Sequence, residues 1–201
     1  MGSASALKNG PMLKGFLLAA FFAVLTAVGA ALTIPTPLVP ITLQTFFVLM
    51  SGLLLGPKYG PLSQVLYLAM GLAGLPVFAG GTGGIHRVLS PSFGFLLGYP
   101  FVSWVTGFLS SGNWIPKEGR KAAVGYSFVC FAATAVLYAI ALPCFHFNMK
   151  YVAKTPVSVG RTLQVAFLPF VIGDSIKAVV AGYLARRLVP ALGRLLPDRS
   201  K

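Results

Sequence analysis

Acidic side chains are almost missing from this chain: among its 201 residues are three Asp or Glu, and charged residues of all kinds make up 9%. A soluble domain carries about a quarter charged residues, so an ordinary globular fold is excluded. Cysteine is nearly as scarce. Cys130 and Cys144 fall in one expected helix, about 21 Å apart by helical rise, too far to bridge each other. Neither a disulfide framework nor a cysteine metal cluster is available. The two His lack a second carboxylate or a nucleophile constellation, which argues against an intramembrane enzyme using Asp174 as acid or base with His86 or His146 assisting. No Gly-Lys-Ser/Thr follows a glycine run, so the chain carries no phosphate loop of its own.

What is present is apolar. Hydrophobic residues reach 56% and the mean hydropathy is +0.83, the composition of an integral membrane protein. The net charge of +13 would suit nucleic acid if the basic residues formed a hydrated stripe interleaved with aromatics. They instead punctuate the apolar runs, as cytoplasmic loops facing anionic lipid do, so the expected surroundings are a lipid bilayer and no nucleic acid.

The gaps between charges give the helix count. No Asp, Glu, Lys or Arg occurs from 15 to 57, 59 to 86, 88 to 116 or 122 to 149. A spanning helix needs about 20 residues, so the last three gaps hold one helix each. The first holds two, divided by Pro35, Pro37 and Pro40. The run 162 to 185 adds a sixth. Expected helices are Gly15 to Ile34, Ile41 to Leu55, Pro61 to Leu75, Phe93 to Leu109, Ala122 to Phe147, and one beginning at Pro169 after a separate surface piece from Thr162 to Leu168. Residues 1–14 read as a flexible tail, 15–189 as one six-helix transmembrane domain and 190–201 as a basic tail. The first segment is too long for a signal h-region and lacks a clear cleavage site. The short second helix implies that the proline segment dips inward at membrane depth.

Eleven Lys and Arg fall at the amino terminus, in loops 2 and 4 and in the carboxyl tail, against four (Arg87, Lys150, Lys154, Arg161) in loops 1, 3 and 5. That bias places both termini in the cytoplasm. The proline segment, the glycine-rich stretch Ala79 to Gly84 and the start of the last helix then converge on the outer face, as an externally open binding site requires.

Asp174 and Lys177 stand three residues apart inside the last apolar run, and so project from one helix face. Intramembrane charges usually face a protein interior or a water-filled cavity; the pair reads as a ligand site or as a structural ion pair joining helices. Four glycines in five positions let the loop at Gly81, Thr82, Gly83 and Gly84 approach a ligand, or simply flex. Gln44 reads as a site residue or as an interhelical hydrogen bond. Ala19, Ala23 and Ala27 form a small-residue stripe fit either for an internal contact or for a partner subunit.

Four stretches together carry a resemblance. They are Pro35-Thr36-Pro37-Leu38-Val39-Pro40-Ile41-Thr42-Leu43-Gln44, Leu55-Gly56-Pro57-Lys58-Tyr59-Gly60, Gly74-Leu75-Pro76-Val77-Phe78-Ala79-Gly80-Gly81-Thr82-Gly83-Gly84 and Gly173-Asp174-Ser175-Ile176-Lys177. In this order they resemble the BioY family, the biotin-binding S components of energy-coupling-factor (ECF) vitamin transporters. Ser90-Pro91-Ser92-Phe93-Gly94-Phe95 departs from the Gly-Pro-Thr-Gly-Gly-Tyr more usual there. The resemblance implies the S-component fold in a bacterial-type cell membrane, biotin captured at the outer face as transported ligand, and no cofactor. It also implies a transmembrane coupling protein (T component) bound through Ala19, Ala23 and Ala27, with cytoplasmic ATPase subunits behind it.

Biotin's ureido ring offers two N–H donors and a carbonyl acceptor, which a carboxylate such as Asp174 and a donor such as Lys177 can meet. Its fused rings and valeryl chain need an apolar slot, for which Phe78, Phe93, Phe95 and Tyr126 are available. Its carboxylate needs Arg87 or glycine-loop amides. The expected substrate-binding residues are therefore Asp174, Lys177, Gln44, Gly81, Thr82, Gly83, Gly84, Arg87, Phe93 and Tyr126. The alternative is a self-sufficient secondary carrier for biotin or another small vitamin; the lack of a clear inverted repeat argues mildly against it.

Overall fold

The computed structural model describes residues 3–36, 38–112, 114–116, 119–155 and 157–191. Pro37, Lys117, Glu118, Pro156 and the basic tail after Ala191 lie outside the described residues. Six α-helices are described: α1 Ser3–Ala31, α2 Gln44–Leu72, α3 Phe93–Ser110, α4 Gly119–Phe147, α5 Val159–Ala166 and α6 Leu168–Ala191. Among the described residues, four stretches are long and apolar enough to cross a membrane: Met12–Ala31, Phe93–Ser110, Gly119–Val152 and Leu168–Ala191.

Helix α1 begins twelve residues before the expected start at Gly15. Lys8 and Lys14 limit where hydrocarbon can begin, but not where the backbone can stay helical, and Leu, Lys, Met and Ala are good helix formers. The helix also stops earlier than expected, at Ala31. Thr33–Ile34 (β1) then pairs antiparallel with Ile41–Thr42 (β2), Thr33 opposite Thr42 and Ile34 opposite Ile41. All four side chains are β-branched and favour extended backbone. The proline segment is thus the tip of a small ribbon, and it turns inward, with Val39 buried.

The two helices expected on either side of residues 56–60 form one element, α2, folded back on itself. Gly56, at φ 75° and ψ −171°, breaks the helical path, a conformation open to glycine but not to ordinary residues. The arms 44–55 and 57–72 then run side by side: Gln64 Nε2 donates to Ser51 Oγ across 3.2 Å, and Gln44 Nε2 reaches the Tyr67 hydroxyl at 2.5 Å. Helix α3 presses on the reversal, since a Cβ on Gly107 would sit 2.5 Å from the Gly56 carbonyl carbon.

Packing runs from α1 to α2, α2 to α3, α3 to α4 and α4 to α6, and α6 closes the bundle against α2. Gly15 of α1 lies against the Tyr59 ring just past the reversal. Helices α4 and α6 are antiparallel, with Ser127 near Gly182 and Tyr138 bonded to Asp174. One end of the bundle therefore gathers Gly15, Gly56, Gly107 and the basic residues Lys58, Arg120 and Arg186. The other end holds the ribbon, the glycine loop and the start of α6. A separate piece ahead of α6 is present, shifted to Val159–Ala166 and capped by Ser158, whose Oγ accepts from Arg161 N.

Candidate functional site

At the end away from the basic cluster, the ribbon, α2, α3 and α6 surround a cavity of about 40 Å³ that opens to the surface. Asp174 and Lys177 lie on the α6 face that turns inward. Lys177 Nζ is 2.9 Å from Asp174 Oδ1, and it also donates to Thr45 Oγ1 at 2.9 Å. Thr45 Oγ1 in turn lies 3.2 Å from Asp174 Oδ1, to which it donates. On the far side of the carboxylate, the Tyr138 hydroxyl of α4 donates to Oδ2. Three helices thus hold one carboxylate, which is 95% buried. Removing either partner of such a pair leaves an uncompensated buried charge, at a cost of about 3 to 5 kcal/mol.

Gln44 opens α2 beside this cluster. Its Oε1 accepts from Thr42 Oγ1 at 2.8 Å and its Nε2 donates to Tyr67, which donates onward to the Val77 carbonyl at 3.0 Å. Gln44 thus ties the two arms of α2 together and also lines the cavity. Arg87 enters from the 3-10 turn Ile85–Leu89. Its Nε is buried with no hydrogen-bond partner among the described residues, although such groups are normally paired. Between these polar ends, apolar walls come from Val39, Phe78, Phe95, Leu96 and Phe170, with the Phe95 and Phe170 rings 5.8 Å apart.

Asp174, Lys177, Gln44 and Arg87 are therefore brought together; the remaining expected site residues are not. Gly81, Thr82, Gly83 and Gly84 do not line the cavity, where Phe78 and Ala79 do. The loop curls on itself: the amides of Gly81 and Thr82 donate to Phe78 O, and that of Gly84 to Gly71 O at 2.7 Å. Three of the four amides offered to a carboxylate are thus engaged inside the protein. Phe93 is half-buried beside the core, and Phe95, two residues on, faces the cavity instead. Tyr126 is buried within α4, twelve residues or about 18 Å along the helix from Tyr138. Ala19 and Ala23 are fully covered by this chain and Ala27 is half-buried. Packing inside the chain occupies the stripe assigned to a partner, because small side chains are what let neighbouring helices approach closely.

Thr45, Tyr99 and Phe170 line the cavity and Tyr138 bonds to Asp174; the sequence reading named none of them. Phe170 stands four residues before Asp174 and so shares its helix face, a signal that was available. Tyr138 has none, because its meeting with Asp174 depends on how α4 and α6 are aligned.

A family profile described as the BioY family matches residues 4–194. This chain belongs to the BioY family. Among relatives, a "Probable biotin transporter BioY" of Lysinibacillus sphaericus is 37% identical over 169 residues, 84% of this chain and 83% of that protein. A "Biotin transporter BioY" of Thermotoga maritima is 36% identical over 176 residues, 88% and 96% of the two chains. The fold matches a crystal structure of the S-component for biotin from an ECF-type ABC transporter, with a TM-score of 0.66 and 28% identity over 94% of each chain. The site described above lies within the matched residues of the family.

Proposed function

We propose that this chain is the biotin-capturing membrane subunit of an ATP-driven vitamin uptake transporter, a binding and transport protein and not an enzyme. The observation that carries the reading is a buried carboxylate with mixed donors and acceptors at the closed end of an apolar slot, Asp174 with Lys177, Thr45 and Tyr138. The ureido N–H groups donate to the Asp174 and Thr45 oxygens, and the ureido carbonyl accepts from Lys177, two of whose three donors are engaged. The bicyclic body lies between Phe78, Phe95 and Phe170. The carboxylate of the valeryl chain meets Arg87, whose unpartnered Nε supplies the donor.

The arms of α2 span only about 18 and 24 Å by helical rise, so each crosses the membrane with the help of flanking segments. Counting both, the bundle has six crossings. The basic end carrying Lys58, Arg120 and Arg186 faces the cytoplasm, with both termini, and the cavity faces outward in a bacterial-type inner membrane. Energy comes from cytoplasmic ATPase subunits through a transmembrane coupling protein, which meets a surface other than the internal alanine stripe.

The experiment is equilibrium binding of labelled biotin to the purified full chain. Wild type binds tightly, and Asp174→Asn and Lys177→Ala lose binding while a thermal melt still reports a folded protein. Folded variants that bind as wild type does would sink the assignment.

A further inference from the structure

Away from the cavity, at the basic end, α4 and α6 leave a second groove of about 440 Å³. Beside it the two helices approach each other closely. A Cβ on Gly182 would stand 2.3 Å from Ser127 Oγ and 2.4 Å from Ser127 N, so only glycine admits this contact, and the groove opens beside it. Its walls are exposed and apolar, among them Val124, Phe128 and Phe131. From residue 120 to residue 131 the groove follows α4 for about 16 Å, the reach of roughly a dozen methylenes of an acyl chain.

The charged end of this groove is built differently from its walls. Arg120 and Arg186 both line it. The Arg186 guanidinium lies over the Tyr183 ring with its carbon 4.0 Å from the ring centroid, which fixes its direction. Its Nε is buried and has no hydrogen-bond partner among the described residues. The one acid among them, Asp174, is paired with Lys177 at the other end of α6. Among the described residues these two guanidinium groups have no carboxylate beside them, and one holds an unmet buried donor, at the end of an apolar groove. A guanidinium fork matches phosphate oxygens, and basic pockets between membrane helices on the cytoplasmic side suit anionic lipid head groups.

We propose that the α4–α6 groove is a binding site for one anionic phospholipid, its phosphate held by Arg120 and Arg186 and an acyl chain laid along Val124, Phe128 and Phe131. The lipid supplies an acceptor to Arg186 Nε, and it covers an apolar face that packing among the described residues leaves open.

Native mass spectrometry of the full-length protein tests this, after delipidation and addition of phosphatidylglycerol or phosphatidylcholine with identical acyl chains, with glycerophosphate as the head group alone. The expected result is one retained phosphatidylglycerol, favoured over phosphatidylcholine by roughly tenfold or more, with glycerophosphate not retained. In Arg120→Gln/Arg186→Gln the preference vanishes. Ala123→Trp, which fills the groove and keeps both arginines, reduces retention of either lipid. Biotin affinity stays within about twofold in every variant, because the groove and the cavity share no residue. Equal retention of the two lipids by wild type, or an undiminished preference in the double glutamine variant, overturns the proposal. Retention of glycerophosphate alone overturns it too, since it would make the site one for free phosphate.

Discussion

Two polar clusters lie inside the same bundle, and burial does not tell them apart. Near the Gly56 reversal, Gln64 Nε2 lies within hydrogen-bond distance of Thr26 Oγ1, Ser51 Oγ and Ser63 Oγ at 3.3, 3.2 and 2.9 Å, while Ser51 and Ser103 share a hydrogen bond at 2.8 Å. That cluster joins α1, both arms of α2 and α3, and Gln64 is 0% exposed. At the opposite end Asp174 is 5% exposed and joins α2, α4 and α6. The first cluster is neutral, its members bond to one another, and it borders no cavity described here. The second is charged, keeps donors to spare, and opens on an apolar slot. A saturated polar cluster rigidifies a bundle; an unsaturated one beside empty space is a place for a ligand. Which groups still lack a partner separates glue from site.

The largest expected effect breaks this contrast from both sides. Asp174→Asn weakens biotin binding by at least about 100-fold, equivalent to about 2.7 kcal/mol, because an amide cannot balance Lys177 or accept as a carboxylate does. Gln64→Leu removes the amide's hydrogen bonds while Thr26, Ser51 and Ser63 keep their bonds to backbone carbonyls, at about 1 to 3 kcal/mol of stability, yet biotin affinity changes less than twofold. Isothermal titration and thermal melts on both variants read the two quantities separately. Loss of affinity in the glutamine variant at full stability would mean that the two clusters are not distinct in role.

Next in size is Arg87→Gln, expected to weaken biotin about tenfold by removing the cation that faces the ligand carboxylate. The sharper readout is biotin methyl ester, which binds wild type and variant alike because it carries no carboxylate charge. Should the ester lose as much affinity as the acid, Arg87 would act by shaping the slot and not by charge. A smaller effect, about three- to tenfold, is expected for Tyr138→Phe, which deletes one hydrogen bond to the carboxylate. Tyr126→Phe, a control one element away from the cavity, leaves affinity where it was.

The charge gaps and proline breaks made the helical character, five of the helix positions and the separate piece before α6 legible, because lipid demands long uncharged runs and proline interrupts them. Asp174 and Lys177 were legible for the same reason: a charge in an apolar run needs a cause. The doubled-back α2 was only half legible, since Gly56-Pro57 marks a turn but does not say that the arms stay in contact. The ribbon at Thr33 and Thr42 was overlooked because pairs of two-residue strands leave almost no periodicity. Most of the differences between the expected lining and the observed one share one origin. Phe93 against Phe95, and Tyr126 against Tyr138, differ only in helix face or in the level at which α4 passes α6. Neither follows from the order of residues in one helix alone.

The glycine loop gives the weakest effect and the most pointed test of where the ligand sits. Thr82 Oγ1 donates to Ala79 O at 3.0 Å, and the backbone of residue 82 bridges back to Phe78, so the side chain closes its own turn. Thr82→Ala should cost no more than about 1 kcal/mol of local stability and shift biotin affinity by less than about threefold, the loop still presenting Phe78 and Ala79 to the slot. Titration of this variant against wild type discriminates between a loop that shapes the cavity from behind and a loop that touches the ligand. A drop of tenfold or more with an unchanged melting temperature would require Thr82 to reach biotin directly. The loop would then have to uncurl on binding and release the amides that now bond Phe78 and Gly71.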